Sequence, residues 1–141
     1  MEEETLAGES LKLAEFLNDP AVSIVAHCTK TPIPLDSGLL TLDDLDESTF
    51  GGYEPIPITQ WDILPGEDEI FGEAVSSPLT FEVGAESTPE LVCGLFLTIQ
   101  RDADPAKLMQ VFPLEVPISM EAVGRTFSRQ VRLFSVDETA V

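Results

Sequence analysis

The eleven residues DDLDESTFGGY, at positions 43–53, hold the densest group of side chains that could do chemistry. Four carboxylates fall within the first five positions, and Phe50 and Tyr53 follow on either side of a Gly-Gly pair. Such a run could bind a metal ion, supply acid and base groups, or form a solvated turn that leads into a strand. Each interpretation makes different demands on the rest of the chain.

The acidic run does not match the calcium loop of an EF-hand. That loop needs Gly at its sixth position and Glu at its twelfth. Counted from Asp44, these positions hold Thr49 and Pro55. Clustered acids most often form a solvated loop, so no residue is assigned as a metal ligand. An irregular calcium site stays open as an alternative, and its ligands would be Asp43, Asp46, Glu67 and Asp68.

The known catalytic templates find no match in the chain. His27 is the only histidine, so it is the only candidate base for a Ser or Cys nucleophile. A transition-metal site needs several His and Cys ligands, and the neighbours His27 and Cys28 would point to opposite faces of a strand. There is no nucleophile elbow, dinucleotide fingerprint or Walker A motif. With 26 acids, two carboxylates close together are weak support for glycosidase chemistry. The sequence therefore predicts no catalytic residue, no cofactor and no enzyme activity.

Length and charge set the broad class of the protein. The 141 residues suit one domain, residues 1–141, with residues 1–20 as an N-terminal helical arm. The formal net charge is −19, and residues 1–90 contain 20 acids but only two bases, which argues against nucleic-acid binding and against an anionic membrane surface. No apolar run reaches the roughly 20 residues of a membrane span, and the acidic start MEEETLAGES is unlike a signal peptide. We therefore expect synthesis in a cytoplasm, with Cys28 and Cys93 as reduced core residues.

The pattern of apolar residues predicts one helix followed by strands. In SLKLAEFLND the residues Leu13, Phe16 and Leu17 form one apolar stripe, and Asp19-Pro20 ends the helix. The helix is too short to persist without a docking surface. Strands are predicted in AVSIVAHCT, SPLTFEV, KLMQVF and the almost wholly apolar LVCGLFLTI, which reads as a central strand.

Two proline-containing segments and one alternating segment complete the predicted sheet. EPIPITQW and VPISM belong at sheet edges because proline lacks a backbone donor. TFSRQVRLF predicts a single final strand with Phe127, Val131 and Leu133 on one side and Arg129 breaking the apolar row. Seven or eight strands spaced by turn signals predict an all-β fold, an antiparallel β-sandwich (jelly-roll-like) with one short N-terminal helix.

The segment 44–53 resembles a recurrent sequence of small virion proteins of tailed bacteriophages, D-[FL]-x-E-[AS]-[TS]-F-x-G-Y. Looser matches on both sides extend the resemblance over about residues 11–134, although Leu95 and Leu97 replace aromatic residues common in such proteins. We expect Thr49-Phe50 to begin a strand, Gly51-Gly52 to allow a bend, and the acids to lie in solvent. The residues that carry the match are Asp44, Leu45, Glu47, Ser48, Thr49, Phe50, Gly52 and Tyr53.

The resemblance implies a structural virion protein, most often a capsid decoration (cement) protein on the outside of the head. It implies a homotrimer bound to the major capsid protein. Because the helix is too short to persist alone, we expect the helix or the segment PIPLDSGLL to reach a neighbouring subunit. One alternative is a tail-fibre or receptor-binding module of the virion. A second is a carbohydrate-binding module, which would stack sugars on Trp61 and Tyr53. A third is a hydrolase that uses His27 and acidic residues of the chain.

Overall fold

The computed structural model describes residues 8–33, 40–64, 71–86 and 89–136. In these ranges the chain forms one α-helix, one 3₁₀ turn (Leu42–Asp44) and nine strands, and every strand pairing is antiparallel. The fold is all-β and sandwich-like with one short helix, as the sequence predicts. The elements are α1 (Gly8–Leu17), β1 (Val22–Thr29), β2 (Ile56–Pro57), β3 (Trp61–Leu64), β4 (Phe71–Ser76), β5 (Leu79–Glu82), β6 (Leu91–Arg101), β7 (Lys107–Ser119), β8 (Thr126–Arg129) and β9 (Arg132–Val136).

The largest sheet has the order β2-β1-β6-β7. β1 pairs with β6 along its whole length, from Val22 opposite Arg101 to Thr29 opposite Gly94. Seven successive residues of β6 are buried, which confirms the central strand predicted for LVCGLFLTI. The two-residue strand β2 lies at one edge, where the missing N–H of Pro57 is tolerated.

β7 forms the other edge of this sheet and is longer than predicted. It runs through Pro113 and Pro117 and joins into one strand the segments KLMQVF and VPISM, which the sequence suggested were separate. Register shifts between Leu97 and Thr98 and between Val92 and Gly94 of β6 accommodate the irregular partner. Edge placement is the position at which a strand can keep two prolines.

Two smaller sheets, β3-β4-β9 and β5-β8, pack with the large sheet around one core. The prediction of a single strand over TFSRQVRLF is wrong, because β8 and β9 belong to different sheets. Ser76 explains the break: its N–H donates to the Val131 carbonyl (2.9 Å) and its hydroxyl accepts from the Val131 N–H (3.0 Å). The predicted inward side is confirmed, since Phe127, Val131 and Leu133 are all buried.

The helix packs on the β3-β4-β9 sheet of its own chain. Its predicted stripe is confirmed: Leu13 is buried, and Phe16 and Leu17 lie half-buried against the core. β4, which the sequence analysis missed, lies under the helix, and its Ala74 is fully buried. Most of the segment PIPLDSGLL, residues 34–39, falls outside the described residues.

Candidate functional site

The segment Asp44–Tyr53 lies beside the end of β1, where the chain returns to the large sheet. Thr29 and Glu47 form an isolated antiparallel bridge. The N–H of Ser48 donates to the Cys28 carbonyl, and the N–H of Lys30 donates to the Asp46 carbonyl, both at 2.9 Å. The acidic run therefore closes the excursion of residues 30–46 by backbone pairing.

Three of the four acids lie in solvent, as the sequence predicts. Asp43, Asp44 and Asp46 are exposed. The Asp44 carboxylate accepts a hydrogen bond from the Thr41 N–H at 2.9 Å, which fixes a single 3₁₀ turn over Leu42–Asp44. Asp46 lies 3.9 Å from the ammonium of Lys30, a distance that gives an exposed pair little energy.

Glu47 is partly exposed as well, with 41% of its side chain open to solvent, but unlike the other three its carboxylate also joins two side chains. One oxygen, Oε2, lies 2.6 Å from His27 Nδ1 and 2.6 Å from the Tyr53 hydroxyl oxygen. A carboxylate only accepts, so Nδ1–H and the Tyr53 O–H both donate to it. In the neutral ring, His27 Nε2 then accepts from the Thr98 hydroxyl at 2.9 Å. We call these four residues, His27, Glu47, Tyr53 and Thr98, the Glu47 clasp.

Tyr53 ties the clasp to the core. Its hydroxyl oxygen accepts from the Cys28 N–H at 3.0 Å. Its ring meets Phe50 edge-on at a centroid distance of 5.1 Å and stacks with Phe81 at 6.1 Å. Phe50 is only 2% exposed, and Tyr53 packs partly buried against the same core.

Phe50 and Tyr53 are brought together by a turn, so the prediction that Thr49-Phe50 begins a strand is wrong. The Tyr53 N–H donates to the Phe50 carbonyl at 2.9 Å, and the Thr49 N–H donates to the Glu90 carboxylate. Gly52 has φ +81°, and a Cβ there would lie 2.7 Å from the backbone nitrogen of Gly84. The predicted bend at the glycine pair is therefore present and needs glycine.

Burial sets the protonation of two groups at the clasp. Desolvation raises the pKa of the Tyr53 hydroxyl well above its usual value, and the hydrogen bond to Glu47 raises it further. Desolvation also raises the pKa of the Cys28 thiol, and the negative charges of Glu47 and Glu90 add to the effect. A thiol that stays protonated is a poor nucleophile. His27 and Cys28 point to opposite faces of β1, as predicted, and Cys28 and Cys93 are both buried.

The order hydroxyl, imidazole, carboxylate in Thr98, His27 and Glu47 is the order of a hydrolase triad. The surroundings differ from those of an active site. Thr98 is 7% exposed in the middle of β6, and the ring of Phe96 stacks on the imidazole at a centroid distance of 4.7 Å. Sequence reasoning missed Thr98 because only the register of β1 against β6 brings it to His27. The arrangement suits a hydrogen-bonded clasp in which Thr98 is buried and Glu47 stays partly exposed.

The described residues form neither a metal site nor, at Trp61 and Tyr53, an exposed aromatic surface for sugar binding. Among them, no group of three or more His, Cys, Asp or Glu side chains is placed to hold a metal ion. Glu67 and Asp68, two ligands of the alternative calcium site, fall outside the described ranges. Of the two aromatic residues proposed for sugar stacking, Tyr53 is packed into the aromatic cluster and Trp61 lies half-buried against the core.

Comparison with family models, with curated proteins and with solved structures finds no match to this chain. Within the described ranges, no helix has the length and apolar character needed to cross a membrane.

We expect the acids of the segment to differ sharply in their effect on stability. Glu47→Ala leaves the Tyr53 hydroxyl and His27 Nδ1 without their acceptor, which should cost about 1–3 kcal/mol. Asp43→Ala removes the same charge from an exposed side chain and should change the free energy of unfolding by less than about 0.5 kcal/mol. Urea denaturation of both variants tests the difference, and equal losses would show that charge, not the clasp, is the cause.

Stability should also fall in mild alkali because of Cys28. The unfolded thiol ionises near pH ~8.5, whereas the folded thiol keeps its proton, so the unfolded state loses protons first as pH rises. The free energy of unfolding should then decrease by about 1.4 kcal/mol per pH unit above that point. Urea denaturation between about pH 7.5 and 9.5, below the ordinary range of a tyrosine, measures the slope. Cys28→Ala should flatten it, and an unchanged slope in that variant would contradict the assignment.

Proposed function

We propose that the chain is a structural virion protein of a tailed bacteriophage, most specifically a decoration protein on the capsid exterior. The observation that carries the proposal is how the segment 44–53 is used. The side chains of Glu47, Phe50 and Tyr53, which form the core of the phage-like motif, contact other residues of the chain. The motif residues therefore stabilise the fold of the chain. Proteins that build a shell on a common fold would share residues with such a structural role.

The charge of the chain favours the outside of the head over the inside. A net charge of −19 would repel packaged DNA, whereas on the exterior it keeps particles apart. In this proposal the chain is made in the host cytoplasm and is added to the shell there.

Exposed apolar side chains at one end of β6 and β7 supply a surface for shell contact. Leu91 begins β6 and pairs with Ser119 at the end of β7, so this end carries Leu91, 52% exposed, and Val116, 72% exposed. Val123, 60% exposed, follows in the next turn. Apolar side chains that solvent reaches in this way are ones that a subunit interface could bury. The major capsid protein is the proposed partner, and a homotrimer, each interface burying roughly 1,200–2,000 Å², is the proposed assembly.

The proposal predicts a copy number. Quantitative mass spectrometry of purified virions that encode this chain should find about one copy per major capsid protein, as repeated cementing of a shell requires. The major capsid protein and a tail-tube protein, counted in the same sample, serve as internal standards. A handful of copies per particle would move the protein to the tail and support the receptor-binding alternative. Absence from the particle would contradict the virion proposal altogether.

A further inference from the structure

A groove lies beside β2, the edge of the large sheet opposite β7. It has a volume of about 300 Å³ and runs between β2, the last strand of the large sheet, and β5, the outer strand of a two-stranded sheet. This volume is at the small end of the range for ligand pockets and suits a side chain more than a cofactor. We call it the edge groove, and its walls include Tyr53, Glu54, Ile56, Pro57, Phe81 and Glu82.

The β5 wall presents backbone groups for strand pairing. Val83 directs both backbone groups toward the β8 side, since its N–H donates to the Arg125 carbonyl and its C=O accepts from the Gly124 N–H. Backbone groups alternate in direction along a strand, so those of Thr80 and Glu82 face the groove. An open strand edge of this kind can accept an extended peptide as an added strand.

The β2 wall offers acceptors. Pro57 has no N–H, and the next N–H, of Ile58, donates to the Ile24 carbonyl in β1. The described chain has no cis peptide bond, so the Pro57 carbonyl points the opposite way, away from β1. Glu54 and Glu82, both exposed, line the same groove, and no Lys or Arg is part of its lining.

These features fit an arginine side chain. A guanidinium carries five N–H donors, which suit the carbonyl and carboxylate oxygens of this groove. The chain itself does not fill the groove with a cation. Its seven Lys and Arg residues all fall in the described ranges, and the residues outside those ranges carry acids as their only charged side chains.

We infer that the edge groove binds an extended segment of a partner protein, which pairs with β5 and places an arginine against Glu54, Glu82 and the Pro57 carbonyl. The inference goes beyond the proposed function, because it defines the chemistry of the bound segment whichever protein supplies it. Charge complementarity selects this occupant over the acidic segments of the chain's own ends.

The test uses the full 141-residue chain, labelled with ¹⁵N, and a probe peptide, acetyl-Val-Thr-Arg-Val-Thr-amide. Titration should shift the amide signals of Ile56, Thr80 and Glu82. A peptide with citrulline in place of arginine keeps the shape but loses the charge, and it should bind about tenfold more weakly. A peptide N-methylated on the face that pairs with β5 should also lose affinity, since it cannot form the ladder.

Matched variants separate the groove from the general acidity of the chain. Glu82→Gln should weaken binding of the arginine peptide several-fold, whereas Glu115→Gln, which removes the same charge from an exposed site on β7, should leave it unchanged. Equal effects of the two variants, or equal affinity for the citrulline peptide, would overturn the inference. Signals of the groove that move with protein concentration alone would assign it to a second copy and overturn it too. If the chain binds the peptide but is absent from virions, the proposed function is contradicted while the inference about the groove stands.

Discussion

Two hydrogen bonds to one carboxylate oxygen of Glu47 fix the point at which the chain returns to the large sheet. His27 reaches this oxygen from the outer face of β1, and Tyr53 reaches it from the turn that follows. Hydrogen bonds to charged groups contribute more than neutral ones, about 1.5–3 kcal/mol each where water is excluded. The Glu47 side chain is 41% exposed, so solvent screening lowers the contribution here. The backbone bridge between Thr29 and Glu47 lies at the same point. Side-chain and main-chain contacts therefore both fix where residue 47 rejoins the large sheet.

A row of packed aromatic rings connects Tyr53 to the far side of the core. Tyr53 contacts Phe50 and Phe81, and Phe81 stacks on Phe127 of β8 at a centroid distance of 5.3 Å. The motif that resembles phage virion proteins thus links the large sheet to the two-stranded sheet. Thr98, His27 and Glu47 form hydrogen bonds within the chain, and these internal contacts are the physical basis for proposing an architectural role. The turn of this motif also forms part of the edge groove, so the contact that builds the fold shapes the proposed binding surface.

Local patterns predicted the elements whose burial is set by their own sequence. The β-branched run of β1, the apolar run of β6, the helix stripe and the proline edge at β2 all follow from such patterns. The features that the sequence did not predict depend on contacts between residues far apart in the chain. The break between β8 and β9 requires Ser76, and nothing local distinguishes Glu47 from its acidic neighbours until β1 brings His27 alongside. β4 was missed because its Gly and Ala give no strand signal in the sequence. They are recognised as part of a buried strand only once the helix is seen to pack on it.

The most direct test of the clasp is a double-mutant cycle between Glu47→Ala and Tyr53→Phe, with the free energy of unfolding measured by urea denaturation for all four chains. If the carboxylate and the hydroxyl form the bond on which the closure depends, the two substitutions should couple by about 1 kcal/mol or more. Losses that add to within about 0.5 kcal/mol would mean that the two groups act independently, and that result would contradict the account.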